Sequence, residues 1–547
     1  MTTETSQSLK VHQALAHSLV DNGVRTLFGL MGEGNLYLTD SFIRDYGGEY
    51  VSASHEAGAV LMGLGYSLIT GRVGVSTVTV GPAMTNTITA LIQGVKSSTP
   101  LLLLCGDTAL EDRDSIQSVS QRDFVMAAGA GFEQLRAANT VAQDLATALR
   151  RAIVERRPVV LNMPTNLQWA DTSCQPVRIR IPQNKQFVPT GEELDNAIGM
   201  IAAAKRPIVL AGRGAVSPEA RTAILKFAER IEAPLATTVK AKDLFQGEAF
   251  NLGIFGTLSS DTATEAIIQS DCVIAFGASL NTLTTSHGTF VSGKRVIQVN
   301  PEATEVGKNV PVDAGLIGDP GATADLLVHW LDEAEIPGSG ARTEELSRKI
   351  AGEPTSFPNG ESGADGTVDF CHSMWRLDQA LPVDRILVTD GGRFTRHVWK
   401  TFRTPGPGSF VPSTDFGSIG LGFGYAVGAA VADRTRPTVL VTGDGGFMNG
   451  GLAEFSTAVR HGADLVVILC NDGCYGAEWL HFHRRGMDPG VAMFQWPDFA
   501  PVAVALGGEA VTVRSEGDLV LAETAIRDRQ RPLLIELKLD PSRMPGH

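Results

Sequence analysis

The sequence predicts an α/β protein of three doubly wound, mainly parallel-sheet domains, the first and third related to each other. Short continuous apolar runs alternate with stretches of helical period, the pattern of buried parallel strands covered by helices on both faces. The 547 residues exceed what one core organises, at roughly 100–200 residues per domain. An internal echo supplies the relation between domains. Gly63-Leu64-Gly65-Tyr66-Ser67 matches Gly422-Phe423-Gly424-Tyr425-Ala426, and a strand ending in glycine follows each, at 75–81 and 438–443. A helical stretch then leads to a further strand in both copies, 100–107 and 464–472.

In chain order, apolar residues recur at helical spacing over 9–22, a β-rich stretch follows at 24–30, and a Gly-containing loop occupies 31–35. Continuous apolar runs at 73–80 and 101–105 predict buried strands. A Pro- and charge-rich passage at 175–190 breaks the pattern. A second α/β block, Rossmann-like, opens with strand 206–211, continues through 273–276 and 296–299, and ends near Asp332. Gly, Ser, Pro and Glu dominate 333–366, a linker with a short helix at 344–350. The predicted domains are therefore 1–175, 190–335 and 367–547, with 336–366 between the last two.

Composition excludes several function classes. Lys+Arg 46 against Asp+Glu 60 leaves a net charge of −14, without the basic footprint that draws nucleic acid or anionic lipid. Six cysteines without CxxC spacing suit neither a disulfide scaffold nor a zinc site, and a reducing cytosol fits. The polar start, 1–8, resembles no signal peptide, and no run approaches the ~18 apolar residues that span a bilayer. A cytoplasmic protein with a small-molecule ligand is expected.

The chemistry concentrates at strand ends. Strand 438–442 runs into Gly443-Asp444-Gly445-Gly446, a helix follows at 451–461, and the next strand ends at Cys470 before Asn471-Asp472-Gly473. Asp444 and Asn471 then close neighbouring parallel strands on one edge, where two oxygen ligands can converge on a hard cation. Gly445 and Gly446 leave backbone N–H groups and a helix start open to phosphate oxygens. Taken alone, the tripeptide also reads as a turn and Asn471 as a cap.

Gly443-Asp444-Gly445 followed by Asn471 resembles the thiamine diphosphate signature of the pyruvate decarboxylase, acetolactate synthase and benzoylformate decarboxylase superfamily, and the resemblance covers nearly the whole chain. It implies Mg²⁺ held by Asp444, Asn471 and the backbone carbonyl of Gly473. Gly417-Ser418-Ile419-Gly420 is similar to the segment whose apolar residue, here Ile419, wedges between the cofactor's two rings. Gly391-Gly392-Arg393-Phe394 resembles the loop that touches the diphosphate, and Val80-Gly81-Pro82 to Asn86 the loop under the pyrimidine. Glu56, in Ser54-His55-Glu56-Ala57-Gly58, occupies the place of the glutamate that hydrogen-bonds the aminopyrimidine and activates the cofactor. A metalloprotease motif fails there because residue 59 is Ala. Since Glu56 lies in the first block and the diphosphate site in the third, the resemblance implies a homodimer at least, with a homotetramer as the expected assembly.

On the substrate side, Gly32-Glu33-Gly34-Asn35-Leu36 resembles the pyruvate decarboxylase segment that carries an aspartate at the place of Glu33. Gly473-Cys474-Tyr475-Gly476-Ala477-Glu478 resembles the segment ending in that family's catalytic glutamate. Two acids in a water-poor cleft would not both ionise, so at least one of Glu33 and Glu478 is expected to be protonated or paired with His481. The paired histidines of pyruvate decarboxylases have no counterpart in 112–121, where Gln117 resembles the active-site glutamine of acetolactate synthases. The lysine of those synthases is missing at Ala128-Gly129-Ala130-Gly131, and His481 stands where they carry tryptophan. Glu478, His481 and His483 also permit a metal site or a solvated helix face. Gly212-Arg213-Gly214 lacks the GxGxxG spacing, which gives FAD in the middle domain weak support. The resemblance implies non-oxidative decarboxylation of a 2-oxo acid, ending in aldehyde release or in carboligation to an aldehyde or ketone acceptor. An acetolactate synthase-like acyloin-forming transferase and a cofactor-binding homologue without turnover are the alternatives.

Overall fold

The computed structural model describes residues 8–112, 114–181, 186–354, 356–358, 360 and 363–545. They fall into two compact units, one formed by 1–182, 359–395 and 411–547, the other by 183–358 and 396–410.

The first unit holds two six-stranded sheets. One runs in the order Glu49–Ser52, Thr26–Gly29, Gly74–Val78, Leu101–Asp107, Pro158–Pro164, Gly131–Gln134, with every pair parallel. The other, the third sheet in chain order, runs Phe410–Pro412, Ile386–Thr389, Thr438–Gly443, Leu465–Asn471, Leu533–Lys538, Glu509–Val513. Numbered by appearance within its own block, each sheet has the order 2-1-3-4-6-5, so the echo read from the sequence is a repeated topology. Both central strand pairs are buried except for Asp107 and Gly443 at their carboxyl ends, as their unbroken apolar runs require.

The echoed motifs themselves pack on each other. Helix Glu56–Thr70 carries the first and helix Gly422–Ala432 the second, and the two share one core with Leu61, Met62, Phe423 and Tyr425. A Cβ at Gly65 would run into the Tyr425 carbonyl, and one at Gly428 into that of Met62. Glycine at these positions is a requirement of close helix approach.

The second unit is a six-stranded parallel sheet ordered Asn251–Ile254, Leu235–Thr237, Pro207–Ala211, Cys272–Phe276, Arg295–Asn300, Ala314–Ile317. This is 3-2-1-4-5-6, the Rossmann order, with its switch point between Pro207–Ala211 and Cys272–Phe276. The loops at that point press together: a Cβ on Gly214 would lie 2.9 Å from Gly277 Cα. The predicted linker contains helix Glu344–Ala351, whose Leu346 and Ile350 pack on this unit's core. Among the described residues, no helix is long and apolar enough to cross a membrane.

Candidate active site

The register of the third sheet pairs Gly443 with Cys470, so Asp444 and Asn471 leave adjacent strands at the same level. Asp444 opens a single helical turn, Asp444–Gly446, followed by a π-helical turn at Phe447–Gly451 and then helix Leu452–Arg460. Its carboxylate is 2% exposed. Oδ1 accepts from Gly445 N at 2.9 Å, while Oδ2 has no hydrogen-bond partner of good geometry among the described residues. Burial, then repulsion from Asp472, pushes this carboxyl well above its usual range; the neighbouring Trp496 and Gly473 N–H groups pull the other way. An acidic oxygen buried without a donor is costly unless a cation takes the donor's place. Asn471 is 3% exposed; its Oδ1 accepts from Gly473 N at 3.2 Å. The Gly473 carbonyl accepts from Phe494 N at 2.7 Å, which leaves its second lone pair.

The loops around this edge are glycine-lined. The Tyr475 ring covers Gly445, where a Cβ would meet it at 2.7 Å, and the Phe394 ring covers Gly392 and lies 3.4 Å from the Cβ position of Gly443. Ile419 reaches within 3.5 Å of the Cβ position of Gly391 and 3.8 Å of that of Gly445, so it stands over both loops, beside Gly417 and Ser418. Gly446 backs onto Asp390, whose Oδ2 would be 2.5 Å from a Cβ there. Asp390 ties the cradle together: it accepts from Gly391 N at 2.8 Å, Gly420 N at 2.8 Å and Thr442 Oγ1 at 3.1 Å. Burial raises its carboxyl's pKa against those bonds. Sequence reasoning passed over Asp390; an acid ending an apolar strand one residue before Gly391 was the available signal. Arg393 turns from the cradle to the chain's end, donating to Pro541 O and Met544 O at 2.8 Å each, and stacks over Trp479.

The first sheet presents the other group. Glu56 opens helix Glu56–Thr70, where His55 Nδ1 caps the Ala57 N–H. Its side chain is 13% exposed, and Oε2 accepts from Asn86 Nδ2 at 3.0 Å. Gly81, at φ +52°, is pressed against the Gln117 carbonyl, and Pro82 begins the short helix Pro82–Thr85. Gln121, also missed from sequence, is 3% exposed, accepts from Gly81 N at 3.1 Å and donates to Gly106 O at 3.0 Å. Glu33 sits on a loop held by Asn35, whose Oδ1 accepts from Gly32 N, and by Thr79, whose hydroxyl accepts from Gly34 N.

The two groups are brought to neighbouring lobes but not to each other: among the described residues no hydrogen bond or ion pair joins Glu33, Glu56 or Gln117 to the third-sheet group. Glu33, Gln117, Glu478 and His481 are all exposed in the single chain. Helix Gly476–Arg484 buries Trp479 and Leu480 and turns Glu478, His481 and His483 to solvent, while Gly476 and Ala477 are half-buried at its start. The water-poor cleft expected around the acids is therefore not formed within one chain, and no ion pair joins Glu478 to His481 among the described residues. Nor do three His, Cys, Asp or Glu side chains converge there.

What spans the two lobes instead is a clasp behind Glu56. Glu454, 2% exposed on helix Leu452–Arg460, accepts from Ser54 N at 3.1 Å and His55 N at 2.9 Å, while His461 Nε2 accepts from Ser52 N at 3.0 Å. The lobe that carries Asp444 thereby holds the loop that carries Glu56.

A buried acidic oxygen at a strand edge lined by glycine loops is suited to a metal-bridged diphosphate, which places the molecule among α/β cofactor-binding proteins. Comparison with known families is specific. Residues 9–128 match the thiamine pyrophosphate enzyme N-terminal TPP binding domain, 194–327 the central domain, and 390–537 the C-terminal TPP binding domain. The chain belongs to the thiamine pyrophosphate enzymes. It is 26% identical to an acetolactate synthase of Arthrospira platensis, over 98% of this chain and 96% of that protein. It is 25% identical to a probable acetolactate synthase large subunit of Methanocaldococcus jannaschii, over 98% and 92%. A sulfoacetaldehyde acetyltransferase of Castellaniella defragrans is 26% identical, over 93% and 88%.

Proposed function

We propose that the protein is a thiamine diphosphate- and Mg²⁺-dependent enzyme that decarboxylates a 2-oxo acid and releases the acyl unit as an aldehyde or transfers it to a carbonyl acceptor. The observation that carries this reading is the buried Asp444 carboxylate, with Oδ2 unpartnered beside Asn471 and a glycine cradle. Asp444, Asn471 and the Gly473 carbonyl would hold the cation, with the N–H group of Gly446 facing the diphosphate and that of Gly445 held by Asp444 Oδ1. Gly392 and Phe394 would border it, with Arg393 contributing only its backbone because its guanidinium is held by Pro541 O and Met544 O, and Gly443, Tyr475, Gly476 and Ala477 would complete its wall. Ile419, with Gly417 and Ser418, would support the cofactor's bend. Glu56 would hold the aminopyrimidine, with Gly81, Pro82 and Asn86 beneath it. When bound, the cofactor supplies a nucleophilic carbon and an electron sink, which the protein's own side chains lack.

Glu33, Gln117, Glu478 and His481 would line the substrate side, the two acids moving protons and the amide and imidazole orienting the 2-oxo acid. All four are exposed in a single chain, and among the described residues no hydrogen bond or ion pair joins the Glu56 group to the cradle. A homodimer that sets Glu56 of one copy against the cradle of the other meets both facts, and a tetramer is a pair of such dimers. The acyl-transfer outcome is favoured by the relatives, two named acetolactate synthases and one an acetyltransferase.

Protein stripped of cofactor, titrated with thiamine diphosphate and Mg²⁺ and assayed for CO₂ from a panel of 2-oxo acids, tests the reading. CO₂ with aldehyde marks a decarboxylase, and CO₂ with an acyloin marks a ligase. Neither product, despite cofactor binding, would sink the enzymatic reading and leave a non-catalytic homologue.

A further inference from the structure

Glu536 is a carboxylate with no exposure at all, on the strand Leu533–Lys538 between Leu465–Asn471 and the edge strand of the third sheet. A charge there is costly unless donors surround it, and five do. Oε1 accepts from Asn471 Nδ2 at 2.8 Å and Lys538 Nζ at 3.3 Å. Oε2 accepts from Phe499 N at 2.9 Å, Ala500 N at 3.3 Å and Thr512 Oγ1 at 3.2 Å. Nothing in the fold requires an acid to satisfy two backbone N–H groups and a hydroxyl; a neutral oxygen would serve. The contacts that call for an acceptor-only group are those of Oε1, to Asn471 and to the Lys538 ammonium.

A carboxamide is nearly symmetric in shape but opposite in function at its two ends. Only its oxygen can face a cation; its NH₂ would present two donors to the same point. We propose that Glu536 is a positioning residue that fixes the amide of Asn471, so that the oxygen, and never the NH₂, faces Asp444. Because a carboxylate whose two oxygens meet five donors acts as an acceptor only, it can pair with Asn471 in one orientation and rejects the flipped one. The strand register supports this: Lys538 is level with Asn471, and Glu536, two residues earlier on the same sheet face, reaches up to it. This inference rests on the proposal that Asn471 is a cation ligand.

Glu536→Gln is nearly isosteric and tests it. Its oxygen is drawn to the Phe499, Ala500 and Thr512 donors, which turns its NH₂ toward Asn471 and pulls the Asn471 oxygen out of the site. Outer-shell losses of this kind cost about 10–100-fold in metal affinity. The readout is thiamine diphosphate quenching of tryptophan fluorescence as Mg²⁺ is varied, with no turnover required. For Glu536→Gln, half-saturating Mg²⁺ is expected to rise about 10- to 100-fold. The double variant Glu536→Gln/Asn471→Asp should restore affinity, since the new carboxylate accepts from the amide and still offers an oxygen to the cation. Asn471→Asp alone should weaken Mg²⁺ binding despite its added charge, because two acceptors would then face each other, and it remains informative if Glu536→Gln fails to fold. Thr512→Val, which removes a donor on the far oxygen, should lower the melting temperature without moving the Mg²⁺ midpoint. Unchanged Mg²⁺ dependence in folded Glu536→Gln, or tighter binding in Asn471→Asp, overturns this inference alone. Wild-type protein that does not bind thiamine diphosphate with Mg²⁺ overturns the proposed function together with it.

Discussion

Cutting the clasp behind Glu56 should cost both stability and rate. Glu454 accepts from Ser54 N through both oxygens, at 3.1 and 3.2 Å, from His55 N at 2.9 Å and from Thr457 Oγ1 at 2.7 Å. In Glu454→Ala the two backbone donors lose their partner. Each unpaired donor costs about 1–3 kcal/mol, and since both are only partly buried the sum is about 2–4 kcal/mol. Relief from burying the carboxylate, whose pKa burial drives upward, acts against this loss. A loss of at most about 2–4 kcal/mol, at about 2 °C per kcal/mol for a large domain, lowers the melting temperature by at most about 4–8 °C. Glu454→Gln keeps an oxygen for Ser54 and His55 and gives its NH₂ to the Thr457 hydroxyl, so it should lose less than about 1 kcal/mol. The two differ in pH dependence as well. A raised carboxyl pKa means that the fold binds more protons than the unfolded chain, so wild-type stability falls as pH rises from the ordinary glutamate value to the raised one. The Gln variant lacks that fall. Scanning calorimetry across pH, with rates measured at 25 °C, checks both. If Ala and Gln melt within a degree of wild type, the hydrogen bonds do not carry the load assigned to them.

The remaining expectations are compact. Glu56→Gln should lower kcat by about 10²–10⁴-fold while thiamine diphosphate binding persists, because the amide fills the same space without the acid's proton chemistry. Glu478→Gln should reduce turnover and shift its pH profile; an unaltered profile removes Glu478 from proton transfer. Chelator should release the cofactor reversibly, and Asp444→Asn should raise the Mg²⁺ requirement, read by the same fluorescence quenching. His461 is held below its usual pKa by burial, then by Arg460, and its Nε2 accepts from Ser52 N. Its contribution is complete above about 6.5 and disappears as pH falls through the lowered value, so His461→Gln should flatten the acid side of the melting curve.

The sequence by itself determined the sheet-forming runs, the duplication and the strand-end pairing of Asp444 with Asn471. These are properties of local pattern: buried parallel strands are continuous in hydrophobicity, and residues closing adjacent strands must meet at one edge. The helix expected at 451–461 is Leu452–Arg460, and strand 73–80 is Gly74–Val78. Only the tertiary structure decided that the echoed glycine motifs pack against each other, since Gly65 and Tyr425 meet across a separation that no window in the sequence spans. The same holds for Asp390, Glu454, Glu536 and Gln121. Each is an ordinary polar letter within or beside an apolar stretch, and its meaning comes from donors supplied by distant segments once burial has removed water as the alternative partner. Periodicity reports which face of an element is buried. Which polar group waits on the other side of that burial is settled only when the lobes close.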